Sequence, residues 1–496
     1  MPLLTLSVAI PLLAAAIIPL LPGRWVRAPR IAVLSAGTLS LICLVATWVR
    51  FDGDRGMQLV EEARWIPSID VAWRLGVDGM SLSLAVLTGV ITLAAMAYGV
   101  GARPTTRASA ALLCLLEAAT LAFFLAQDFF LFYVAFDVSL AAMYFLIALY
   151  GEENRRYAAL KFFLYTLVGS LPVLLGIIAL FLVAEPSTFD MIRLVEEKPL
   201  GGAGVGATLV FLAFFIGFAI KTPIAPFHTW LPAAHVEAPT AGSVLLAGVM
   251  LKMGTYGLIR VNLQMLPDAF AEYALPIALL GLFSALYGAL VALAQSDFKR
   301  LVAYTSINHM GYVVIGVAAA AASGISAQAR GLAIDGAVLQ MIAHGLVTGL
   351  LFFFAGFIQS RAKTRELGRL GGLVRPMPLY GTATVLAMFA SLGLPGLAQF
   401  PAELQIFLGT FDVFPAIAAV ALIGLVVTAG LFLLALQRAF LGETPEPWRG
   451  LPDLGPRELI AVGPLLVLVV ALGVYPRLAL DLIESASWLG PGGIVP

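Results

Sequence analysis

Residues 130–151 read FLFYVAFDVSLAAMYFLIALYG, a run of twenty-two positions in which Asp137 is the one side chain that carries charge. At about 1.5 Å of rise per residue, such a run wound as a helix crosses the ~30 Å hydrocarbon core of a bilayer. The chain as a whole shares this composition: of its 496 residues 61% are hydrophobic and 12% charged, with a mean hydropathy of +0.98. A soluble chain carries about 25% charged residues. No soluble fold of this length hides so much apolar surface, so lipid is the solvent for most of it. The 29 basic and 29 acidic residues cancel, which argues against a nucleic-acid partner. Cys43 and Cys114 stand far apart inside apolar runs. That excludes a disulfide framework, an iron–sulfur cluster or a zinc site built by this chain alone.

Apolar runs of spanning length recur between short polar breaks. They set helices near 2–22, 31–50, 79–101, 107–126, 129–150, 160–184, 205–222, 239–260, 271–294, 300–321, 333–359, 376–410, 413–440 and 457–476. The expectation is an all-α membrane protein of about 14 transmembrane helices, with the 376–410 run too long for one straight crossing. The run at 2–22 has no basic residue before it and Arg24, Arg27 and Arg30 after it. A signal peptide has the reverse order, so this run is expected to stay as a helix. Nothing has the length or composition of a linker between soluble domains, so residues 1–496 are expected to be one polytopic membrane domain. With the N-terminus outside, the inner loops hold 18 basic residues, among them Arg103, Arg155, Lys299 and Arg365, and the outer loops hold nine, among them Arg74 and Arg260. This excess puts both termini on the outer side.

Two basic residues remain, Lys221 and Lys252, both inside apolar runs. A mid-membrane lysine costs roughly 2.5–3.5 kcal/mol on the lenient insertion scales. Lys252, about a dozen residues into its helix, is too deep to snorkel with comfort; Lys221 lies nearer an end. Glu117, Asp137 and Glu403 share the predicament. Asp137 has a short stem and needs a partner or a proton. A nearby lysine would hold it ionised, and loss of that partner would let the lysine release its proton, which is a sufficient switch for a pump. The bland alternative for Asp137 is a tie between two helices.

A lone histidine on an apolar face is more often a satisfied core residue. His344, in LQMIAHGLVTGLLFFFAG (339–356), is mid-helix, and an ordinary pKa near 6.5 suits a proton relay. His309, in YTSINHMGY (304–312), is balanced between relay and core. His228 and His235 flank a polar break and read equally as loop anchors. Their spacing is not that of HExxH and no third ligand is apparent, which argues against a metal site.

Two runs look broken. FAIKTPIAPFHTWLP (218–232) puts Pro223 and Pro226 after Lys221, and ASLGLPGLAQFPAELQIFLG (390–409) puts Gly393, Pro395, Gly396 and Pro401 before Glu403. Proline removes a helical hydrogen bond, so each helix should open inside the membrane and need water or polar side chains there. The breaks lie about 180 residues apart, each beside an ionisable residue. Matching interruptions are the mark of internal repeats, here two inverted five-helix units at 107–260 and 271–440. The helix of Lys252, by contrast, is expected to be intact and to offer its amine no free backbone group, which makes Lys252 the central proton store.

At this point a family resemblance is legible. KTPIAPFHTWLPAAHVEAPTAGSVLLAGVMLKMGTYGLIR (221–260) resembles the signature stretch of the antiporter-like proton-pumping subunits of respiratory complex I, NADH–quinone oxidoreductase. Within them it is most similar to the M-type, mitochondrial subunit 4-like chain. The resemblance covers nearly the whole chain: VDGMSLSL (77–84), MYFLIALYG (143–151), YGALVALAQSDFKRLVAYTSINHMG (287–311), SLGLPG (391–396) and YPRLALDLIE (475–484). It implies a 14-helix fold with two inverted repeats, and proton translocation along a buried Lys/His/Glu axis coupled to quinone reduction. It also implies other antiporter-like membrane-arm subunits as partners and a bacterial inner membrane as the location. No cofactor is expected in this chain; NADH, FMN, iron–sulfur clusters and quinone are expected on other subunits. Lys221 and Lys252 match the family's lysines of the seventh and eighth helices, His309 and His344 the relay histidines, and Glu403 the glutamate of the twelfth. Asp137 stands where the family has glutamate, one methylene or about 1.5 Å shorter. Ala233 replaces the aspartate of WLPDAH, and Pro401 and Ala402 replace valine and glycine. The related Mrp-type cation/proton antiporters share the lysines and the fold and are the alternative.

Overall fold

The computed structural model describes residues 2–22, 24–53, 55–102, 106–202 and 204–484; Arg103, counted above with the inner loops, lies outside the described residues. The chain runs through α1 (Leu3–Ile17), α2 (Ala28–Arg50), β1 (Gln58–Ile66), β2 (Val71–Val77), α3 (Gly79–Ala102), α4 (Arg107–Leu125), α5 (Phe129–Tyr150) and α6 (Arg155–Val183). After a short α7 (Met191–Glu197) come α8 (Val205–Lys221), α9 (Trp230–Glu237) and α10 (Thr240–Leu263). The second half holds α11 (Pro267–Leu293), α12 (Phe298–Ala321), α13 (Ala327–Ala362), α14 (Pro378–Ser391), α15 (Gln399–Val413), α16 (Pro415–Ala439), α17 (Pro456–Val474) and the short α18 (Arg477–Ile483). Among the described residues twelve helices are long and apolar enough to cross a bilayer. Their ends fall within several residues of the expected ones.

Lipid offers no partner for a helix's first amides, so the loops supply them. The Asp128 carboxylate accepts from the Phe130 amide at 2.9 Å and opens α5. Asp297 opens α12 in the same way, accepting from Arg300 at 2.8 Å, and Ser326 opens α13. Residues 58–77, outside every expected helix, fold into an antiparallel hairpin that pairs Glu62 with Arg74. Arg74 is nearly buried and makes ion pairs to Glu62 and to Asp190, each at 3.0 Å. The guanidinium, hydrogen-bonded to Glu62, holds that carboxyl below its ordinary range.

Burial sorts the helices into a centre and a rim. The spanning windows of α10 and α13 are 100% buried and that of α12 is 94% buried, against 28% for α1 and α17. On α6, Leu164, Val168, Leu171, Leu175 and Leu182 recur every three to seven residues and stay exposed, a stripe that faces lipid. The chain opens at both expected breaks: α8 ends at Lys221 and α9 starts at Trp230, and α14 ends at Ser391 and α15 starts at Gln399. The Trp230 indole closes the first gap by donating to the Ile220 carbonyl at 3.0 Å.

The helix that carries Lys252 departs from its expected form. It is continuous, but Leu246–Met250 and Leu258–Leu263 are π-helical turns. The Leu251 amide bonds to Leu246 O, five residues back, and so leaves the Ala247 carbonyl that it would take in a regular α-helix. The expectation of a helix with no free backbone group is therefore wrong. Unlike a proline break, these turns leave no mark in an apolar run such as LAGVM.

Glycine lets α10 approach the first break. A Cβ at Gly254 would stand 2.6 Å from the Thr222 amide nitrogen and 2.7 Å from the Phe218 carbonyl. Gly254→Val should therefore cost about 1–3 kcal/mol by overpacking. The check is the amount of assembled protein and its thermal stability, both expected to fall; unaltered values would show that the contact has room to give.

Candidate functional site

Lys252 is fully buried at the centre of α10. Its Nζ donates to the freed Ala247 carbonyl and lies 2.7 Å from Nδ1 of His344, which is fully buried on α13. An ammonium has only donors, so against a charged Lys252 the His344 Nδ1 accepts and the ring proton sits on Nε2. The ring of His309, in the middle of α12, stands edge-on to His344 with centroids 5.5 Å apart. His309 lies against the Ser391 carbonyl at the end of α14, with neither ring nitrogen hydrogen-bonded. The lysine of α10 is thus linked by two histidines to the second helix break.

A second link runs along α13. Gln340 precedes His344 by four residues, so the two share one helix face. The Gln340 amide donates to Glu403 Oε1 at 3.4 Å. Glu403 is buried on the first turns of α15. Gly393, with φ of +75°, is required beside it, because a Cβ there would stand 2.5 Å from Glu403 Oε2. Tyr312 lies within electrostatic reach of this carboxyl, and Asn308 Nδ2 donates to the Tyr312 hydroxyl at 3.2 Å.

At the first break, Lys221 is 2% exposed and its Nζ has no hydrogen-bond partner. The ammonium sits over the Phe136 ring at 4.5 Å from the centroid, a desolvated cation–π contact. Asp137, the next residue on α5, is half-buried beside Tyr133 and Ser170 and faces Lys221 electrostatically. Among the described residues the two form no contact ion pair, and Asp137 Oδ1 has no hydrogen-bond partner. Glu117 lies elsewhere. It is 1% exposed on α4, turned toward Gly37 of α2, and neither carboxyl oxygen is hydrogen-bonded.

Other groups here read in the sequence as loop anchors or loop cations. His235 is fully buried on α9, stacked on Phe352 at 4.3 Å with both nitrogens free of hydrogen bonds, and His228 packs against Tyr287. Lys299 and Arg260, counted as loop cations, are 2% and 4% exposed. Lys299 donates to the Ala238 carbonyl just past α9 at 2.6 Å. Gln340 had a signal, one turn before His344 in an apolar run; Lys299 and Arg260 had none, since a cation at a helix end reads as interfacial. Among the described residues no group of three His, Cys, Asp or Glu could hold a metal ion. What the site does hold is a succession of proton donors and acceptors, many lacking protein partners, in a low-dielectric centre where a mobile proton is stabilised only by its neighbours.

Residues 126–430 match the family described as NADH:quinone oxidoreductase/Mrp antiporter, TM. The chain is 40% identical to an NAD(P)H-quinone oxidoreductase chain 4 of Synechococcus elongatus, over 98% of this chain and 91% of that one. It is 37% identical to NADH-quinone oxidoreductase subunit M of Rhodobacter capsulatus, over 97% and 94%. Its fold matches a chain of respiratory complex I from Thermus thermophilus with a TM-score of 0.86 at 30% identity, over 98% of both chains. It also matches a chain of the Mrp complex from Dietzia with a TM-score of 0.85 at 24% identity, over 98% and 96%, a likeness of fold alone.

His344→Phe removes the acceptor beside Lys252 while keeping most of the ring's volume. A lost hydrogen bond to a charged group costs about 1.5–3 kcal/mol. Thermal release of the subunit from its assembly should therefore begin at a lower temperature, and an unchanged release curve would show that Ala247 alone satisfies the amine.

Proposed function

The chain belongs to the NADH:quinone oxidoreductase/Mrp antiporter transmembrane family, and from that premise we propose that it works as the M-type proton-translocating subunit of a complex I-type NADH–quinone oxidoreductase. It is an integral, multi-pass membrane protein that sits among the other membrane-arm subunits of such a complex. Relatives at 37–40% identity carry oxidoreductase-chain names, whereas the Mrp chain shares the fold at 24%; that difference favours quinone-coupled pumping over sodium/proton exchange. NADH, FMN, iron–sulfur clusters and quinone belong on other subunits, and this chain moves protons.

The observation that supports the proton path is the contact series Lys252–His344–His309, with the Gln340–Glu403 hydrogen bond one turn along α13 from His344. Lys221 is the loading site and Asp137 the carboxylate that sets its charge. Their separation suits this role, because a charge pair locked in contact would not exchange protons readily; a gap filled by water lets the Coulomb term vary as either group moves. Lys252 is the central store, held by a carbonyl and a histidine. Glu403, hydrogen-bonded by Gln340, is the end station that passes the proton outward or to the next subunit. His309 and His344 connect the two. Glu117, turned to α2, is an auxiliary acid on this reading.

We read residues 107–260 and 271–440 as two inverted five-helix repeats within one membrane domain, each with its broken helix beside an ionisable group. With both broken helices counted as crossings the chain has 14. On this reading the arginine-rich loops lie on the inner side of a bacterial inner membrane and both termini on the outer side.

The test is proton pumping by the assembled complex in sealed membrane vesicles, followed with a pH-sensitive dye. Lys252→Ala and Glu403→Ala should each abolish most proton transfer without preventing assembly. Asp137→Asn should cut pumping and quinone reduction by about tenfold or more, as expected for loss of a positioned acid–base group, while Asp137→Glu is tolerated. Normal pumping in a variant removes that residue from the path.

A further inference from the structure

Arg260 is the one arginine of α10, and it is buried with a carboxylate that belongs to neither helix break. Its Nη2 donates to Asp78 Oδ2, its Nε to the Tyr256 hydroxyl at 3.2 Å and its Nη1 to Gln264 Oε1 at 3.0 Å. All five donors of a guanidinium lie in one plane, so three separate partners fix its orientation as well as its place. Asp78 is itself immobile. It is 1% exposed, its Oδ1 accepts from the Ser81 amide at 2.9 Å, and its own amide donates to Ser81 Oγ at 2.9 Å, the reciprocal cap that opens α3. Tyr256 is anchored on a third helix, its hydroxyl donating to the Phe124 carbonyl of α4 at 3.1 Å.

Lys252, Tyr256, Arg260 and Gln264 recur every four residues, so the fork and the lysine belong to one strip of α10. Lys252 and Tyr256 sit on Leu251–Gly257, seven residues of α-helix with a π-helical turn at each end, and Arg260 sits on the second of those turns. A π turn and an α turn differ in residues per turn, so the ladder of such a helix does not by itself fix the rotation of the segment between. Rotation of that segment decides whether the Lys252 amine meets the Ala247 carbonyl and His344. We propose that the Arg260–Asp78 ion pair is the positioning element for Lys252: it pins the outer end of α10 to the head of α3, and through Tyr256 it sets the rotation that aims the amine. Neither residue touches the moving proton. This inference rests on the proton-path reading of Lys252.

The experiment uses the assembled complex in sealed vesicles and measures protons moved per quinone reduced, together with the amount of complex assembled. Asp78→Asn keeps the cap on α3 and removes the charge; it should lower the proton-to-quinone ratio at least threefold with assembly within twofold of the unaltered protein. Arg260→Lys keeps the charge and loses the fork, and should behave likewise. The double variant Asp78→Glu with Arg260→Lys lengthens the acid as it shortens the base, so the ion pair re-forms without the Tyr256 arm, and the ratio should rise at least twofold above that of Arg260→Lys alone. Rescue of that kind is not expected of two residues that merely fill space. Tyr256→Phe removes one arm and no charge; should Asp78→Asn fail to assemble, a twofold or greater loss in Tyr256→Phe sustains the proposal and an unchanged ratio overturns it. A normal ratio in Asp78→Asn, or no recovery in the double variant, also overturns it. Lys252→Ala in the same vesicles separates the two failures: if it pumps normally the path itself is wrong, and if it is dead while Asp78→Asn pumps normally only the positioning role falls.

Discussion

An ammonium group in a dry interior must be given acceptors by the protein around it, and the centre of this molecule is arranged to give Lys252 two. One is a backbone carbonyl, available because α10 takes a π-helical turn over Leu246–Met250. The other is a histidine from α13 at 2.7 Å. Neither is a counter-charge. The amine is satisfied as a hydrogen-bond donor while, among the described residues, no carboxylate contacts it, a state that costs free energy. Arg260, eight residues on, is treated in the opposite way: a buried carboxylate faces it directly. Two buried cations on one helix are thus assigned different work by their partners. On the proposed reading the paired one is fixed and the unpaired one exchanges its proton.

The helices around this centre fit the same constraint. α10, α12 and α13 are the most enclosed spans and carry Lys252, His309 and His344. The second break brings backbone inward beside His309 and Glu403: the Ser391 carbonyl lies against His309, and the positive φ of Gly393 makes space for the Glu403 carboxylate. Gly254 lets α10 approach the backbone of the first break at Thr222, and Gly257 makes room for the Phe218 ring of α8. Outside this shell, leucines and valines at helical spacing meet lipid and need no further explanation.

Much of this was legible in the sequence, for a physical reason. Twenty-residue apolar runs have one common use, and prolines 223, 226, 395 and 401 mark missing hydrogen bonds wherever they occur. Lys221, Lys252, Asp137 and Glu403 stood out because burying them is expensive. The hairpin did not stand out: QLVEEARWI lacks the alternation of a half-exposed strand, and Val71–Val77 is largely buried on both faces. The π turns were invisible, since they arise from packing rather than from any residue with a missing donor, and so the Lys252 helix was expected to be regular. Arg260 and Lys299 were counted with the loops because depth is not written in a charge at a helix end. The tie between Gln340 and Glu403 depended on which faces of α13 and α15 meet, which only the fold decides.

The central claim is that Lys221, Lys252, the histidines and Glu403 form one continuous proton path through the middle of the membrane. A cryo-electron microscopy structure of the intact complex, at a resolution that shows water, tests it most directly. The account predicts ordered waters at hydrogen-bond spacing, about 3 Å, joining Asp137 to Lys221, Lys221 to Lys252, and His309 to Glu403. A water-free gap of about 10 Å packed with apolar side chains between any two of these groups would contradict it, because no proton hops across such a gap.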